Sequence, residues 1–473
     1  MTRFDKNKTI YNAARNSLWI IVFLVIYALS MAYANRVDIT ANYYDSALYW
    51  NLANDIFYNG YNPIYIFRYP QSVRGYFFPV LVGYFKAYFN GVTGWRILAS
   101  LSMAACFSLS LPYAINRKRI QSLRELFATL LAYGVYMWVW GDFMQYPLSD
   151  FISCFLLISA LAFLRWSEHT DKIILQVLFA FFAGVFLYAA YNTRTTYLYS
   201  GIIVLLVYFL HNRKNLKRLL VGLMAMVIGM AVIAFPQCHI NNRIEGCFTP
   251  KVYYEMVDGE IYKGIYTARY ETYIGDREDY PHSGVVFRDA AGYEIIQREN
   301  LTMKDFKLSD IFEIFLKYPL DMLGIYGRHF ISLMTPVYRQ AYITDIYHPE
   351  PFLIIISIFL WLIAGFGLFV QIKSEGLNRN ALLILAICIP SLLQIFDEPE
   401  LRFFLPLYLL CYYYAFTMIN YKKFFSALKA NWFPVLAISI LIFGIWIAMT
   451  DEILSGNEDI HLLLSNNIWF YQK

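Results

Sequence analysis

The sequence predicts an all-α polytopic membrane protein. It places about 11 transmembrane helices, with interfacial helices in a long first outer loop and a large outer loop after span seven. Three observations carry this. Of 473 residues, 59% are hydrophobic and 15% are Asp, Glu, Lys or Arg, with a mean hydropathy of +0.44. Soluble domains carry roughly 25% charge, so this chain cannot coat a globule of its size with polar surface, and the missing solvent is lipid. The apolar residues are gathered into span-length runs, and the basic residues alternate from side to side between those runs.

The runs lie at 17–34, 94–115, 124–140, 149–166, 173–191, 196–211, 218–236, 351–372, 381–396, 403–420 and 431–449. The first is too long for a cleaved signal peptide, and the NRVD after it is no small-residue cleavage site. With the N-terminus in the cytoplasm, the inner loops hold Arg117, Lys118, Arg119 and Arg124, then Arg165 and Lys172, then Arg213, Lys214, Lys217 and Arg218, then Lys373 and Arg379, then Lys422, Lys423 and Lys429. The outer loops hold acids: Asp142, Asp150, Asp397, Glu398 and Glu400, with Asp451, Glu452, Glu458 and Asp459 in the tail. This is the positive-inside pattern, and an odd span count puts the C-terminus outside.

Three regions follow: an N-terminal transmembrane module over 1–236 that includes a first outer loop at 35–93, an extracytoplasmic lobe over 237–350, and a C-terminal transmembrane module with an outer tail over 351–473. The first loop contains the helical stretch ANYYDSALYWNLANDIFYNG, then GYFFPVLVGYFKAYFNG, which reads as an interfacial or re-entrant helix in which Lys86 snorkels. In the lobe, 250–308 is polar and tyrosine-rich. Asp310 with Glu313 reads as a capping pattern ahead of amphipathic helices, and Pro319 reads as the start of a second one. These helices are expected to lie along the outer membrane face. No internal repeat is visible.

Cys106, Cys154, Cys388 and Cys411 sit in apolar runs and read as small core residues. Cys238 and Cys247 flank the polar stretch HINNRIEG, where a short-loop disulfide is expected in an oxidising compartment. A net charge of +5, spread in short clusters, does not fit nucleic-acid binding. Walker loop, dinucleotide fingerprint, HExxH and Ser-nucleophile elbow do not occur, and His239, His282, His329 and His348 lack metal-ligand spacing and read as ordinary loop residues.

The candidate polar residues gather at outer loop–membrane junctions, where ionisable groups are costly and usually serve a pathway or a site. On a helix, Asp45 shares a face, within about 40°, with Tyr49, Leu52 and Ile56. It is either a functional carboxylate or the N-cap of a helix beginning at Ser46. Asp55 lies off that face and reads as solvated. Asp150, in QYPLSD, is either a second functional carboxylate or a first-turn acid favoured by the helix dipole, with Ser149 as cap; Asp142 is the weaker candidate. Arg74, Arg194 and Arg402 oppose the positive-inside trend. Their planar forks suit phosphate oxygens. The plainer alternatives are an i,i+4 pair of Arg402 with Glu398, and snorkelling to headgroups for Arg74 and Arg194.

Four stretches carry a family resemblance: YYDSALYWNLA; RGYFFPVLVGYF with NGVTGWRILASL; YPLSDFISCFLL with the later NTRTTYL; and ELRFFLPLYLL. On these, and on the span layout, the chain resembles GT-C fold membrane glycosyltransferases that use polyprenyl-phosphate-linked sugars, of the protein mannosyltransferase and aminoarabinose transferase type. Many members carry Asp-Glu in the first loop, whereas Asp45 is followed by Ser46, so the base assignment rests on one residue. The resemblance implies transfer of a hexosyl or pentosyl group from an undecaprenyl- or dolichyl-phosphate donor to an extracytoplasmic acceptor (glycan, lipid or protein), with inversion; the residues themselves assign no metal ligand and no cofactor. Asp45 would be the general base, with Asp150 the second carboxylate. Arg194 and Arg402, with Arg74, would hold the departing phosphate. The expected location is a bacterial cytoplasmic membrane, with the site on its outer face and a place in cell-envelope polysaccharide synthesis. An O-antigen-type polymerase or ligase, a lipid-linked glycan flippase or transporter, and a membrane scaffold stay open beside this reading.

Overall fold

The computed structural model describes residues 3–35, 43–58, 66–67, 69–70, 74–116, 118–253, 257–274, 284–345, 348–375 and 379–456. It is about 80% helical, as expected of an all-α membrane protein. Among the described residues, eight helices are long and apolar enough to cross a membrane: Ser17–Ala34, Val92–Asn116, Ser149–His169, Ile173–Thr193, Leu216–Glu245, Pro351–Ser374, Leu401–Met418 and Trp432–Ser455. Tyr197–Asn212 and Leu382–Phe396 are shorter apolar helices. Helix also stands at 124–140, so every apolar run of the sequence is helical; the count of spans established by length and composition is eight.

The chain divides into two compact units. The first comprises 1–254, 374–390 and 406–418. It holds α1 (Arg3–Ala34), α2 (Tyr44–Tyr58), α3 (Phe77–Tyr88), α4 (Val92–Ala105), α5 (Leu111–Asn116), α6 (Leu123–Trp140), α7 (Ser149–His169), α8 (Ile173–Thr193), α9 (Tyr197–Asn212) and α10 (Leu216–Glu245). Helix α6 starts on a capping box: Ser122 Oγ accepts from Glu125 N–H at 3.2 Å, and the Glu125 carboxylate accepts from Gln121 N–H at 2.8 Å. Helix α7 is the centre of the bundle, buried nearly throughout. Small residues let α8 and α10 approach closely. A Cβ on Gly184 would meet Met226 O at 2.0 Å, and one on Gly229 would meet Phe181 O at 2.1 Å. The basic residues between the apolar helices are structural fasteners too. Arg218 donates to the carbonyls of Ser167 and Glu168 at 2.8 Å, closing the end of α7, and Arg165 is buried beside Glu168.

Helix α10 runs to Glu245, well past the predicted end of its span at 236. This corrects the expected disulfide. Cys238 lies buried within the helix and Cys247 lies exposed just beyond it, both as free thiols. Helical rise puts them roughly 12 Å apart, about twice the usual disulfide Cα separation.

The second unit comprises 255–373, 391–405 and 419–473. It holds α11 (Val257–Tyr266), an antiparallel pair of β1 (Thr267–Thr272) with β2 (Gly284–Arg288), α12 (Ala290–Arg298), α13 (Leu308–Lys317), α14 (Pro319–Leu333) and α15 (Pro351–Glu375). Most of α16 (Arg379–Leu393) and α17 (Leu405–Tyr413) belongs to the first unit, and α18 (Tyr421–Ala430) and α19 (Trp432–Ser455) belong to the second. Tyr262, Ile265, Ile295, Phe306, Ile314, Met322 and Ile325 make the core of the lobe. Arg269 is buried on Glu271, with Nη1 donating to the carbonyls of Ser332 and Thr335 at 3.0 and 2.9 Å. Pro319 starts α14 as expected. The Asp310 pattern is corrected: α13 begins at Leu308, and Asp310 is the residue that reaches back, accepting from Lys307 N–H at 2.9 Å. His239 and His329, read as loop residues, lie in α10 and α14.

The orientation is checked by impermeant thiol labelling in a Cys247→Ser background, because Cys247 is the exposed native thiol among the described residues. If all eleven apolar runs cross, cysteines at the exposed positions Asn35 and Ser455 should label from outside and those at the exposed Lys118 and Lys214 should not; an even span count would instead silence Ser455. The reverse pattern would invert the protein. Ser283 and the acids Glu458 and Asp459 lie outside the described residues.

Candidate functional site

The first unit brings four of the five predicted residues together, from four separate stretches of chain. Asp45 sits in the first turn of α2. It is not the cap of a helix beginning at Ser46. The helix begins at Tyr44, and Ser46 reaches back from its first turn, its Oγ donating to Tyr43 O at 2.6 Å and accepting from Tyr43 N–H at 3.0 Å. Asp45 Oδ1 is instead 2.9 Å from Arg74 Nη2, and Arg74 Nη1 donates to the Tyr49 hydroxyl at 3.2 Å. The Arg74 guanidinium also lies 5.3 Å from the Tyr49 ring centre. Arg74 is therefore held, not snorkelling. Burial works to lower its pKa, but the Tyr49 hydroxyl and the Asp45 carboxylate outweigh burial and hold it above its ordinary value.

The second pair is Asp150 with Arg194. Asp150 follows Ser149 at the start of α7 and is buried. Its Oδ1 accepts from Arg194 Nη1, and its Oδ2 is buried with no hydrogen-bond partner. Ser149 is the first helical residue rather than the cap, with Leu148 in the cap position, and its Oγ donates to the Tyr49 hydroxyl at 3.4 Å. Tyr49 thus joins both pairs: it receives from Arg74 on one side and from Ser149, the neighbour of Asp150, on the other. Packing of its ring edge-on to Phe78 at 4.9 Å fixes it there. The weaker candidate Asp142 accepts from Gln145 at 3.2 Å, and Asp55 is exposed as expected.

Backbone contact explains why Arg74 and Arg194 converge. A Cβ on Gly75 would lie 1.7 Å from Asn192 O, so the chain at Gly75 touches the end of α8 directly. The Asn192 side chain accepts from Phe77 N–H at 2.8 Å and donates to Gln237 at 2.8 Å; Gln237 donates to Asn241 at 2.9 Å, and Asn241 donates to the carbonyls of Thr249 and Lys251 at 2.7 Å. This buried amide ladder ties α3, α8 and α10 together two residues before Arg194. Tyr76 adds a bond from its hydroxyl to Ile233 O at 2.8 Å.

Lys86 is corrected. It does not snorkel; it is buried, with its ammonium 3.5 Å from the Trp50 ring centre and bonded to Asn54, docking α3 on α2. Burial pushes its pKa down to about 8.

Arg402 belongs to the second unit. Residues 397–400 are not helical, so the expected pair with Glu398 gives way to Glu400, whose carboxylate Arg402 Nε and Nη2 grip at 2.6 and 3.0 Å. Glu398 lies 3.7 Å from Lys263. Burial raises its carboxyl well above the ordinary value, against the pull of Lys263.

Sequence reasoning missed Tyr49 as a polar residue, and it missed Gly75, Ser149 as a bridge, and the Asn192–Gln237–Asn241 ladder. A detectable signal existed for the ladder: Gln237 and Asn241 stand four apart, on one helix face, next to an apolar run.

Gly75→Ala forces a methyl into Asn192 and should cost about 1–3 kcal/mol. Gly134→Ala, where a Cβ meets nothing within 4 Å, should be neutral or slightly stabilising. Thermal unfolding of both variants in detergent checks this; equal behaviour would reject the docking role of Gly75. For Lys86, the folded-state pKa lies below the ordinary 10.5. The unfolded chain therefore binds the extra proton between those values, and stability rises with pH from about 8 to about 10.5. Lys86→Met should remove that rise, read as the melting temperature at about pH 7.5 and about pH 9.5.

No family model matches this chain, and no curated protein matches it.

Proposed function

We propose that the protein is an integral membrane glycosyltransferase that moves a sugar from a polyprenyl-phosphate donor to an acceptor hydroxyl on the extracytoplasmic side. One observation carries the reading: two carboxylate–arginine pairs, Asp45–Arg74 and Asp150–Arg194, joined through the Tyr49 hydroxyl in a unit built of apolar helices. Charged groups among apolar helices are costly, and a linked set of them drawn from distant stretches points to a site. The family resemblance names the chemistry.

In this mechanism the Asp45 carboxylate takes the proton of the acceptor hydroxyl. The acceptor oxygen attacks the anomeric carbon. The bond from that carbon to the phosphate oxygen breaks, and its electron pair leaves on the lipid phosphate. Arg74 fixes the direction of the Asp45 carboxylate. Arg194, oriented by Asp150, meets the charge growing on the departing phosphate. The unpartnered Asp150 Oδ2 is the kind of buried acceptor that a sugar hydroxyl satisfies. Arg402 enters through the resemblance alone. The donor is already activated, so the reaction draws on no nucleotide.

The test is a membrane assay with a panel of polyprenyl-phosphate sugars, scoring transfer. Asp45→Asn keeps size and a hydrogen bond to Arg74 but removes the proton acceptor, so transfer should fall by about 10²-fold or more with expression intact. Arg194→Lys keeps the charge and loses the fork, so it should weaken transfer more than folding. Wild-type transfer by Asp45→Asn would remove Asp45 from the mechanism and leave Asp150 as the leading carboxylate. Silence of the wild-type protein across the whole panel would count against glycosyl transfer.

A further inference from the structure

Within the second unit, two enclosed carboxylates share one ammonium. Glu260 and Lys263 stand one turn apart on α11, with Lys263 Nζ 3.2 Å from Glu260 Oε1. The same ammonium lies 3.7 Å from Glu398 Oε2. The side chains of Glu260, Lys263 and Glu398 are only 16%, 14% and 10% exposed. The charges nearby are engaged elsewhere. Arg402 holds Glu400 at 2.6 Å, and Asp397 Oδ1 accepts from Glu398 N–H at 2.9 Å. Among the described residues, Lys263 is thus left to offset two acids out of water, where an excess charge is costly.

Glu398 Oε1 shows how the excess is removed. It is buried and has no hydrogen-bond partner among the described residues. An ionised carboxylate accepts on both oxygens, and this one faces a cation on Oε2 alone. Lys263 attracts its charge, while Glu260 and Glu400 repel it. The Glu398 and Glu260 side chains come within hydrogen-bonding reach of each other. Two carboxylates cannot bond in this way, because neither has a donor; an acid and a carboxylate can. One proton therefore gives the orphan oxygen a partner, removes the repulsion and leaves Lys263 facing a single negative charge.

This contact stands beside the backbone bonds that fasten 397–400 to the lobe. Tyr270 N–H of β1 donates to Pro399 O at 3.1 Å, and Glu400 N–H donates to Glu398 O at 2.9 Å. A Cβ on Gly264, next to Lys263, would lie 2.9 Å from the Asp397 carbonyl, so α11 and this stretch touch backbone to backbone. His329 of α14 holds Ile395 O through Nδ1 at 2.7 Å.

We propose that Glu398 is a carboxylic acid in neutral solution, donating from Oε1 to the Glu260 carboxylate, and that this shared proton makes a pH-sensitive clasp between α11 and residues 397–400. Raising the pH removes the proton, two like charges then stand beside one ammonium, and the clasp loosens. Burial holds the Glu398 carboxyl well above its ordinary 4.5, so the folded protein binds a proton that the unfolded chain has released. The stability it contributes is full below the ordinary value and is lost as pH rises through the folded one. The inference does not depend on the chemistry of the first unit.

The experiment uses the full chain in detergent. Unfolding is followed for the wild type, Glu398→Gln and Glu260→Gln between about pH 5.5 and about pH 7.5, below the range in which Lys86 titrates. The amide of Glu398→Gln imitates the acid, donating to Glu260 and accepting from Lys263. Relative to this variant, the folded-to-unfolded ratio of the wild type should fall about tenfold per pH unit. Glu260→Gln should lose the fall as well, since its amide gives Glu398 the donor it lacks. Infrared difference spectra at about pH 6 should show an acid carbonyl band in the wild type that both variants lack. Between about pH 6 and about pH 8, hydrogen exchange at Tyr270 and Glu400, corrected for the intrinsic effect of pH, should speed up at least about threefold in the wild type and not in Glu398→Gln. A wild-type profile parallel to both variants, the absence of the band, or unchanged exchange would overturn the proposal. Loss of the fall on adding calcium chloride would also overturn it and give the space between the carboxylates to a metal ion.

Discussion

Lipid offers no hydrogen bonds, and that constraint organises the first unit. A charged or amide side chain among apolar helices must find a protein partner. Arg74 finds Asp45 and Tyr49, Arg194 finds Asp150, and Asn192 finds Gln237. Each partner comes from a different stretch of chain. The polar contacts therefore act as registration marks between helices. Gly184 and Gly229 fix which faces of α8 and α10 meet, and the amide ladder and the two ion pairs add polar contacts that are satisfied in one arrangement only.

The same constraint accounts for the arginines that defy the positive-inside trend. Arg74 and Arg194 stand at an end of the bundle that otherwise holds acids. Their charge is offset by those acids, one for one, so the pairs place strongly oriented guanidinium groups there at little net charge. Arg218 serves differently: it closes the carbonyl end of α7. One residue type does two jobs, and the partner distinguishes them: carboxylate in one case, helix-end carbonyl in the other.

Much of this was legible in the sequence because it is local. Span-length apolar runs mark their own helices, and an acid on the apolar side of a predicted helix marks Asp45. What was not legible is whatever depends on contact across the chain. Tyr49 read as one more aromatic in the face of α2, since nothing nearby reveals that its hydroxyl meets Arg74 and Ser149. Gly75 looked like part of a turn, and only the backbone of Asn192 pressed against it shows why a side chain cannot stand there. The errors have the same root. Lys86 was given to the headgroups because the sequence does not show Trp50 and Asn54 beneath it. Arg402 was given to Glu398 by assuming helix across a stretch that is extended, so its partner shifted to Glu400. Cys238 and Cys247 were joined by assuming a loop where α10 continues as a rigid rod.

The two ion pairs are not equivalent, and the difference bears on how a site made from them would work. Asp45 and Arg74 are each about a third open, with side-chain exposures of 27% and 32%, so solvent or an incoming hydroxyl can reach them. Asp150 and Arg194 are more enclosed, at 6% and 19%. A group that exchanges protons with an acceptor arriving from water belongs at the open pair. A group that must hold its direction while charge develops on a buried phosphate belongs at the closed one, where the surroundings are already oriented and screening is weak. Tyr49 stands between the two with its ring locked on Phe78. The division of labour proposed for Asp45 and Arg194 is thus one that their exposures favour, independently of the resemblance that first suggested it.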